Sequence, residues 1–262
     1  MRAVLSQVRI GFRSPWAYRG ATLLSMVVLA AQIAFYAVVW RAIYRGRSGT
    51  VAGADVNSTV AYVILGMTVA SVLNLWPGRS ISERVREGLI GIDLLRPIGL
   101  LTQTLALQVG NVLANLPQAL IGIGMGFALG GMVPAHDAGA VAVFVPSLLL
   151  AFAVSQLITL LMALSSFWTM EVGGTEMLFA VVRTFLSGTV IPLWFMPGWL
   201  QAIAGVLPFQ AATFTPLAIY FGRPPGGIAV ALGVQAGWVV VLFLLCVWVW
   251  SRARTRVVVQ GG

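Results

Sequence analysis

The chain has 262 residues, of which 59% are hydrophobic and only 9% are charged. Because soluble domains carry about 25% charged residues, lipid must be the solvent for most of this chain, and a soluble enzyme is excluded. All 16 basic residues are arginines, which excludes the lysine-containing P-loop that binds nucleotide phosphates. The arginines lie in short clusters between apolar runs, which favours membrane topology signals over nucleic-acid binding.

The first segment, residues 1–20, predicts a helix at the inner membrane interface. Four apolar residues share one helical stripe: Val4, Leu5, Val8 and Phe12. The arginines of the segment lie mostly off this stripe, and an amphipathic basic helix of this kind favours the boundary between headgroups and acyl chains. A frayed basic tail is the alternative.

Charge-free apolar runs then predict six transmembrane helices, since a span needs roughly 20 apolar residues. Their predicted ranges are 21–40, 56–78, 101–131, 141–168, 177–196 and 227–250. The expected fold class is therefore an all-α membrane protein with a single transmembrane domain, residues 1–262. The first apolar run lacks a cleavage pattern, so we expect it to remain as an anchor.

Residues 197–225 form a predicted outer region between the fifth and sixth helices. Prolines, which break helices, interrupt the apolar stretch here, and its aromatic residues suit a membrane interface. The residues concerned are Pro192 and Trp194, just before this region, and Pro197, Pro208 and Phe209 within it. Because broken backbone at membrane depth must be covered by protein or line a cavity, we expect short re-entrant helices.

The distribution of arginines predicts the orientation of the chain. Most of them collect in the N-terminal segment, in the loop after the second helix and in the C-terminal tail. Positive residues favour the cytoplasmic side of a membrane. Both termini are therefore expected in the cytoplasm, in agreement with an even number of helices, and the membrane is expected to be the cytoplasmic membrane of a bacterium.

Residues 80–97, between the second and third helices, predict a short cytoplasmic helix of mixed charge. Its apolar residues recur at helical spacing: Ile81, Val85, Leu89 and Ile92. Its charged residues project elsewhere: Glu83, Arg84, Arg86 and Glu87. Mixed charge favours docking to a protein over docking to anionic lipid. An ordinary solvated loop is the alternative.

The third predicted helix carries a polar face about 21 Å long at 1.5 Å per residue. The face consists of Thr104, Gln108, Asn111, Asn115 and Gln118. Buried amides need partners, so we expect this face to avoid lipid. It either lines a substrate path or supplies hydrogen bonds between helices, and the sequence leaves both readings open.

Two stripes of small residues predict close packing of helices. They are Gly122, Gly126 and Gly130 in the third helix, and Ala229, Gly233 and Gly237 in the sixth. Small side chains allow two backbones to approach, so each stripe is expected to face another helix.

Arg183 lies about six residues into the predicted fifth helix. A charge at membrane depth is costly and suggests a function by default. Arg183 either snorkels to the inner interface or pairs with Glu171 or Glu176.

His136 lies on a predicted outer loop without a catalytic or metal-binding constellation, and Cys246 is expected to be a small buried apolar residue.

Two segments resemble the permease subunit of the type-two ABC exporter family. The sequence from Val85 to Pro97, with its arginines, glycines, paired leucines and final proline, is similar to the cytoplasmic loop of that family. The second segment is similar to the broken outer region of that family. The residues that match are Ser187, Gly188, Ile191, Pro192, Phe195, Pro197, Pro208, Phe209, Pro216 and Gly222. The six-helix layout and both termini also match, so the resemblance covers nearly the whole chain. It is strongest to the branch with paired permeases.

The resemblance implies an ATP-driven exporter that is assembled from several chains. Two permease chains, identical or diverged with a preference for a heterodimer, would each bind a separate nucleotide-binding ATPase subunit. ATP and magnesium would bind at those subunits, whereas this chain would bind no cofactor, metal or nucleic acid and would catalyse no reaction. The implied cargo is a hydrophobic or amphipathic compound that moves outward, and its identity is not written in the sequence.

The resemblance also implies candidate residues. Those that would couple ATP-driven closure to the helices are Glu83, Arg84, Arg86, Glu87, Gly88, Leu89, Asp93, Leu94, Leu95 and Arg96. Because the family places the second and fifth helices at the dimer axis, the candidate substrate path joins residues of these helices to the polar face of the third. The path residues are Tyr62, Gly66, Asn74, Gln108, Asn111, Asn115, Gln118 and Ser187.

An ion- or proton-coupled secondary transporter, or a channel subunit, is the alternative function. It would need carboxylates inside the spans to bind the coupling ion, and the sequence offers no paired set there. A membrane-embedded enzyme is disfavoured because no catalytic set is evident. A purely structural membrane subunit is the remaining alternative.

Overall fold

The computed structural model describes residues 2–45, 50–51, 53–73, 81, 83–85, 87, 90–95, 98–169 and 173–257. Its helices are α1 Arg2–Ala17, α2 Arg19–Tyr44, α3 Val56–Leu73, α4 Ile90–Leu94, α5 Leu100–Ala128, α6 Ala138–Ser165, α7 Gly173–Leu186, α8 Gly198–Val206, α9 Phe209–Ala212, α10 Phe214–Tyr220 and α11 Ile228–Val257. A 3₁₀ turn, Leu193–Phe195, precedes α8. The all-helical fold class is confirmed for the described residues.

Five of the described helices are long and apolar enough to cross a membrane, namely α2, α3, α5, α6 and α11. The fifth predicted span differs from the prediction. α7 has 14 residues, about 21 Å at 1.5 Å per residue, which is shorter than the roughly 30 Å hydrocarbon core. It ends at Leu186 rather than at residue 196, because the chain turns at Gly188, whose φ is 69°. Pro192 then prevents the helix from resuming.

The helices α2, α3, α5 and α6 alternate in direction along the chain, and α11 runs parallel to α6, because Ser147 contacts Gln235 near their starts and the Leu157 carbonyl contacts Cys246 nearer their ends. One end of the molecule therefore collects the starts of α2 and α5 and the ends of α3, α6 and α11. We term it the arginine-rich end, because arginines of both chain termini lie there. Contacts at the opposite end fix this arrangement: Arg41 donates to the Leu129 carbonyl, and the His136 amide donates to the Tyr220 carbonyl at 3.0 Å.

The hydrophobic core has two main parts around α3 and α6. The first lies toward the end opposite the arginine-rich end. It joins α2, α3 and the outer region and includes Ile33, Tyr62 and Leu217. The second joins α5, α6 and α11, with Leu160 and Cys246. α3 is the most buried of the spanning helices, because α2, α5, α6 and α10 all pack against it.

Close packing of α3 and α5 occurs where one of the small-residue stripes was predicted. Gly122 lies directly against the Thr68 side chain, and Gly126 lies against Met132. Gly130 instead adopts a φ of 61° just beyond the end of α5. In the second stripe, Gly233 faces open space within this chain, as does Gly237, so the close packing predicted at α11 is not formed here.

The N-terminal helix α1 packs along the first half of α5. Gly11 of α1 touches the backbone at Leu107, and Gly110 of α5 touches the backbone of Val8 and Phe12. The two helices therefore cross with backbone against backbone, at a point where each contributes a glycine.

This crossing divides the apolar stripe that was predicted for α1. Leu5 and Phe12 are exposed, whereas Gln7 and Gly11 are buried. The sequence did not predict the contact, because glycine carries no hydrophobic signal. The exposed apolar residues remain available to the membrane interface, where the segment was predicted to lie.

The outer region is broken into short helices, as its prolines predicted. Pro197 and Pro208 stand directly before α8 and α9, and α10 is buried over almost its whole length against α3 and α6. The backbone freed at the end of α9 is satisfied by a side chain: Gln235 Nε2 donates to the Ala211 carbonyl at 2.8 Å. Such internal partners are what broken backbone requires away from water.

Candidate functional site

The predicted coupling residues belong to a segment that is anchored to the core. Ile81 and Ile90 are buried in the same cluster as Leu100 of α5 and several residues of α6 and α11. A helical hydrogen bond joins the Glu87 amide to the Glu83 carbonyl at 2.8 Å. We term residues 81–95 the coupling segment, and its apolar side holds it against the arginine-rich end of the bundle.

The other side of the coupling segment is exposed. Glu83 and Glu87 are exposed, and Ile92 and Leu95 keep 57% and 86% of their surface accessible. Exposed apolar side chains beside carboxylates on an anchored segment are typical of a surface that binds protein. Docking to a protein and an ordinary solvated loop both stay predictions for this segment.

The remaining predicted coupling residues are only partly covered by the structure. Arg84 is half-buried and interacts with a neighbouring group. For Asp93 and Leu94 the backbone alone is described. Those outside the described residues are Arg86, Gly88, Leu89 and Arg96.

The polar face of α5 points toward α1 and α2. Gln118 Nε2 donates to Asn115 Oδ1 at 2.8 Å and lies 3.4 Å from Ser25 Oγ of α2. Asn115 Nδ2 donates to the Asn111 carbonyl at 2.8 Å. Asn111 and Asn115 also border a cavity of about 290 Å³ at the elbow between α1 and α2. The face therefore makes one hydrogen bond to another helix, from Gln118 to Ser25, and two within α5, and it also lines a small polar space.

Gln108 differs from the other amides of this face. It is 2% exposed, and neither its oxygen nor its nitrogen has a hydrogen-bond partner among the described residues. An amide buried in this way costs roughly 1–3 kcal/mol. Gln108 therefore remains a predicted residue of the substrate path.

Three predicted path residues from α3 and the end of α7 meet at a second place. Tyr62 Oη donates to the Gly188 carbonyl at 2.8 Å, and Ser187 Oγ lies 2.7 Å from Thr189 Oγ1. Gly66 packs so closely on the Thr189 carbonyl that an added methyl group would lie 2.7 Å from its oxygen. These contacts fasten α3 to the turn that follows α7.

The candidate path is thus divided into two groups. Asn111, Asn115 and Gln118 of α5 face α1 and α2, whereas Tyr62, Gly66 and Ser187 meet at the turn that follows α7. Among the described residues, no hydrogen bond joins the two groups. Asn74 lies outside the described residues.

Aromatic rings close the space around Tyr62 at the opposite end. The Tyr62 ring centroid lies 4.8 Å from that of Trp194, 6.4 Å from Phe214 and 5.9 Å from Phe221. Arg223 covers the outer side, with its Cζ 5.7 Å from the Trp194 ring. These separations are those of favourable ring contacts. We term the four rings the aromatic cap.

Other residues of the outer region tie it to the bundle. Pro192 leads into the 3₁₀ turn, and the indole Nε1 of Trp40 donates to the Val190 carbonyl at 3.3 Å. Phe209 of α9 meets Phe179 of α7 with centroids 5.7 Å apart. α2, α7 and the outer region are therefore connected through aromatic side chains.

A buried polar network joins α3, α6 and α7. Arg183 Nη1 donates to Thr159 Oγ1 at 3.1 Å, and its Nη2 donates to Ser155 Oγ. Ser155 Oγ and Gln156 Nε2 in turn donate to the Leu73 carbonyl at 3.1 and 2.8 Å. The last turn of α3, which leads to the coupling segment, is thereby fixed to α6.

The burial of Arg183 bears on both hypotheses made from the sequence. Only 8% of its surface is accessible, so its guanidinium lies within the bundle and does not snorkel out of it. Glu171 lies outside the described residues and the Glu176 side chain is not described, so pairing stays a prediction. Sequence reasoning missed Gln156 and Gln235, although a lone amide inside a charge-free apolar run is a usable signal.

No group of three or more His, Cys, Asp and Glu side chains that could hold a metal occurs in the described part of the chain. Cys246 is buried in an apolar cluster, which confirms the prediction. The ring of His136 packs on Gly222, whose φ of 69° disfavours any side chain there. The histidine therefore supports a turn.

The family model described as "ABC-2 family transporter protein" matches residues 27–261. The match runs from α2 into the C-terminal segment, and it includes the coupling segment and the outer region. A search of curated proteins gives no match.

Proposed function

Because the chain belongs to the ABC-2 transporter family, we propose that this membrane permease is the transmembrane subunit of an ATP-driven exporter. A separate ATPase subunit binds and hydrolyses ATP with magnesium. The cargo is a hydrophobic or amphipathic compound that moves outward. The arginine-rich end and both termini face the cytoplasm of a bacterium, as the positive-inside rule favours.

The observation that carries this proposal is the two-sided coupling segment. Ile81 and Ile90 fix it to the core of α5, α6 and α11, while Glu87 and Leu95 project away from the protein. An ATPase subunit that binds the exposed side therefore moves the ends of the helices, because the segment is packed against them. Rigid-body movement of packed helices is a common form of switching.

The cargo path is closed at the outer end in this conformation. The other three rings of the aromatic cap surround the Tyr62 ring, and the Tyr62 hydroxyl donates to the Gly188 carbonyl in the turn after α7. Export therefore requires Tyr62 to separate from Trp194 and Phe214. The amides of α5 and the group around Gly66 are the two stretches of wall that we assign to the path.

A second permease chain, identical or diverged, completes the path, and we favour a diverged one. α7 is too short to span alone and exposes an apolar face: Met177, Leu178, Val181 and Phe185. α3 and α7 form the walls at the dimer axis in the exporters that this chain resembles, so we assign this face to the partner permease. The short helices α8–α10 enter the outer half of the membrane, which is supported by the burial of α10 between α3 and α6.

The test uses the full chain together with the proposed ATPase subunit. Leu95→Asp places an unpaired carboxylate in the docking surface, so we expect co-purification of the ATPase subunit to fall at least about tenfold. Pro225→Asp is the matched control, because Pro225 is an exposed apolar residue in the turn before α11, at the opposite end of the molecule. Full co-purification and unchanged ATPase activity of Leu95→Asp would contradict the proposal.

A further inference from the structure

A cavity of about 740 Å³ lies between α6 and α11 at the arginine-rich end. Its walls come from the last turns of α6, the turn that follows, and the C-terminal part of α11. None of these residues belongs to the coupling segment or to the candidate path. The volume falls in the range of sites that bind small organic molecules.

This cavity is an open cleft between the two helices. Its walls change from apolar to polar along its length. Leu161 and Val249 form the apolar part, and the exposed indoles of Trp168 and Trp248 flank them. Arg252 lies beyond, with its Cζ 5.7 Å from the Trp248 ring. Tryptophan and arginine in this order are typical of the boundary between acyl chains and lipid headgroups.

Hydroxyl groups complete the polar part of the cleft. Ser165 Oγ donates its hydrogen to the Met162 carbonyl at 2.7 Å, and Thr255 Oγ1 donates to the Arg252 carbonyl at 2.7 Å. Each oxygen keeps lone pairs that can accept a hydrogen bond. The cleft therefore offers one cation for an anion and acceptors for a hydroxyl donor.

We propose that this cleft binds one anionic glycerophospholipid with a hydroxylated headgroup, of the phosphatidylglycerol type. Its phosphate meets Arg252, its headgroup hydroxyls donate to Ser165 and Thr255, and an acyl chain lies along Leu161 and Val249. A choline headgroup fits less well, because its quaternary ammonium would approach Arg252 and has no hydrogen to donate. The inference rests on the membrane placement of the chain and holds for any cargo or direction of transport.

The test reconstitutes the full chain in phosphatidylcholine nanodiscs that contain a small fraction of brominated phosphatidylglycerol, whose bromines quench nearby tryptophan fluorescence. The comparison nanodiscs contain the same fraction of brominated phosphatidylcholine in an otherwise identical membrane. We expect about fivefold selectivity for the anionic lipid, the effect of one arginine near the membrane surface. Trp168→Phe and Trp248→Phe should each remove part of the excess quenching.

Arg252→Gln should reduce the selectivity to about one. Arg254→Gln is the matched control, since Arg254 is also exposed in α11 but does not line the cleft. Both arginines are exposed, so neither substitution threatens folding. The absence of selectivity in the wild type, or an equal loss in the two arginine variants, would overturn the proposal.

Discussion

The effect of substituting a buried glutamine on stability depends on whether its amide has hydrogen-bond partners, as Gln235 and Gln108 show. Gln235 has both amide atoms engaged: Ser147 Oγ donates to its oxygen at 2.8 Å, and its nitrogen donates to the Ala211 carbonyl at 2.8 Å. Gln108 is equally deep but forms no hydrogen bond within the described part of the chain. The same residue type therefore stabilises the fold at one position and strains it at another.

Gln108→Leu should stabilise the isolated chain by roughly 1–3 kcal/mol, because it removes a buried amide without a partner. Gln118→Leu is the matched control on the same helix and should destabilise, since it breaks the hydrogen bond to Asn115. Unfolding of the purified chain in mixed micelles measures both. A less stable Gln108→Leu variant would refute the interpretation.

Asp55 supplies a pH-dependent contribution at the start of α3. Its Oδ2 accepts from the Asn57 amide at 3.1 Å and from the Ser58 amide at 3.4 Å. Hydrogen bonding from the Ser58 side chain, followed by these amides, holds the pKa of Asp55 below its ordinary value of 3.8. Because the folded state favours the ionised carboxylate, the stabilisation is present above pH 3.8 and is lost as the pH falls through the lowered pKa.

Asp55→Asn should therefore reduce the acid sensitivity of the chain while keeping most of the helix cap, since asparagine also caps helices well. Asp55→Ala removes the cap at every pH and should cost about 1 kcal/mol. Thermal unfolding from pH 6 to pH 3 distinguishes the three proteins. An identical acid dependence in the wild type and Asp55→Asn would contradict this account.

At the scale of helices, glycine contacts make a sharp prediction for α5. Gly110→Ala drives a methyl group into the backbone of α1, and Gly122→Ala drives one into Thr68 of α3. Each should destabilise by about 1–3 kcal/mol through overpacking. Gly124→Ala in the same helix has open space and should be neutral or stabilise by up to about 1 kcal/mol, because alanine favours helix.

Unfolding of these variants in detergent provides the measurement. Gly110→Ala should also expose α1 to proteolysis, whereas Gly122→Ala should not, because only the former lies at the crossing with α1. Equal stability of the Gly110 and Gly124 variants would show that α1 does not pack on α5.

The helices themselves were largely predictable from the sequence, because charged residues mark the ends of apolar runs. Two features were not predictable for physical reasons. The end of α7 at Leu186 depends on the φ of Gly188 rather than on hydropathy. The α1–α5 crossing depends on Gly11 and Gly110, residues that are far apart in sequence and have no side chain to form a pattern.

At the scale of the whole molecule, the last turn of α3 links the site to the bundle. The Leu73 carbonyl is held by Ser155 and Gln156 of α6, and the coupling segment that follows is anchored to α5, α6 and α11 through Ile81 and Ile90. A force on the exposed side of this segment is therefore transmitted to α5, α6 and α11 together.

The candidate site was predictable in part. The periodic amides of α5 and the mixed charge of residues 80–97 could be read from spacing alone. The aromatic cap could not, because it combines Tyr62 of α3 with rings from the outer region that lie more than a hundred residues further along the chain. Only the folded chain shows that a predicted path residue is covered on its outer side.

The central claim is that the exposed side of the coupling segment binds the ATPase subunit. The most direct measurement places a photo-crosslinking amino acid at Leu95 and, separately, at Pro225, in membranes that contain both subunits. The account predicts an adduct with the ATPase subunit from position 95 and none from position 225. No adduct from position 95, or equal adducts from the two positions, would contradict it.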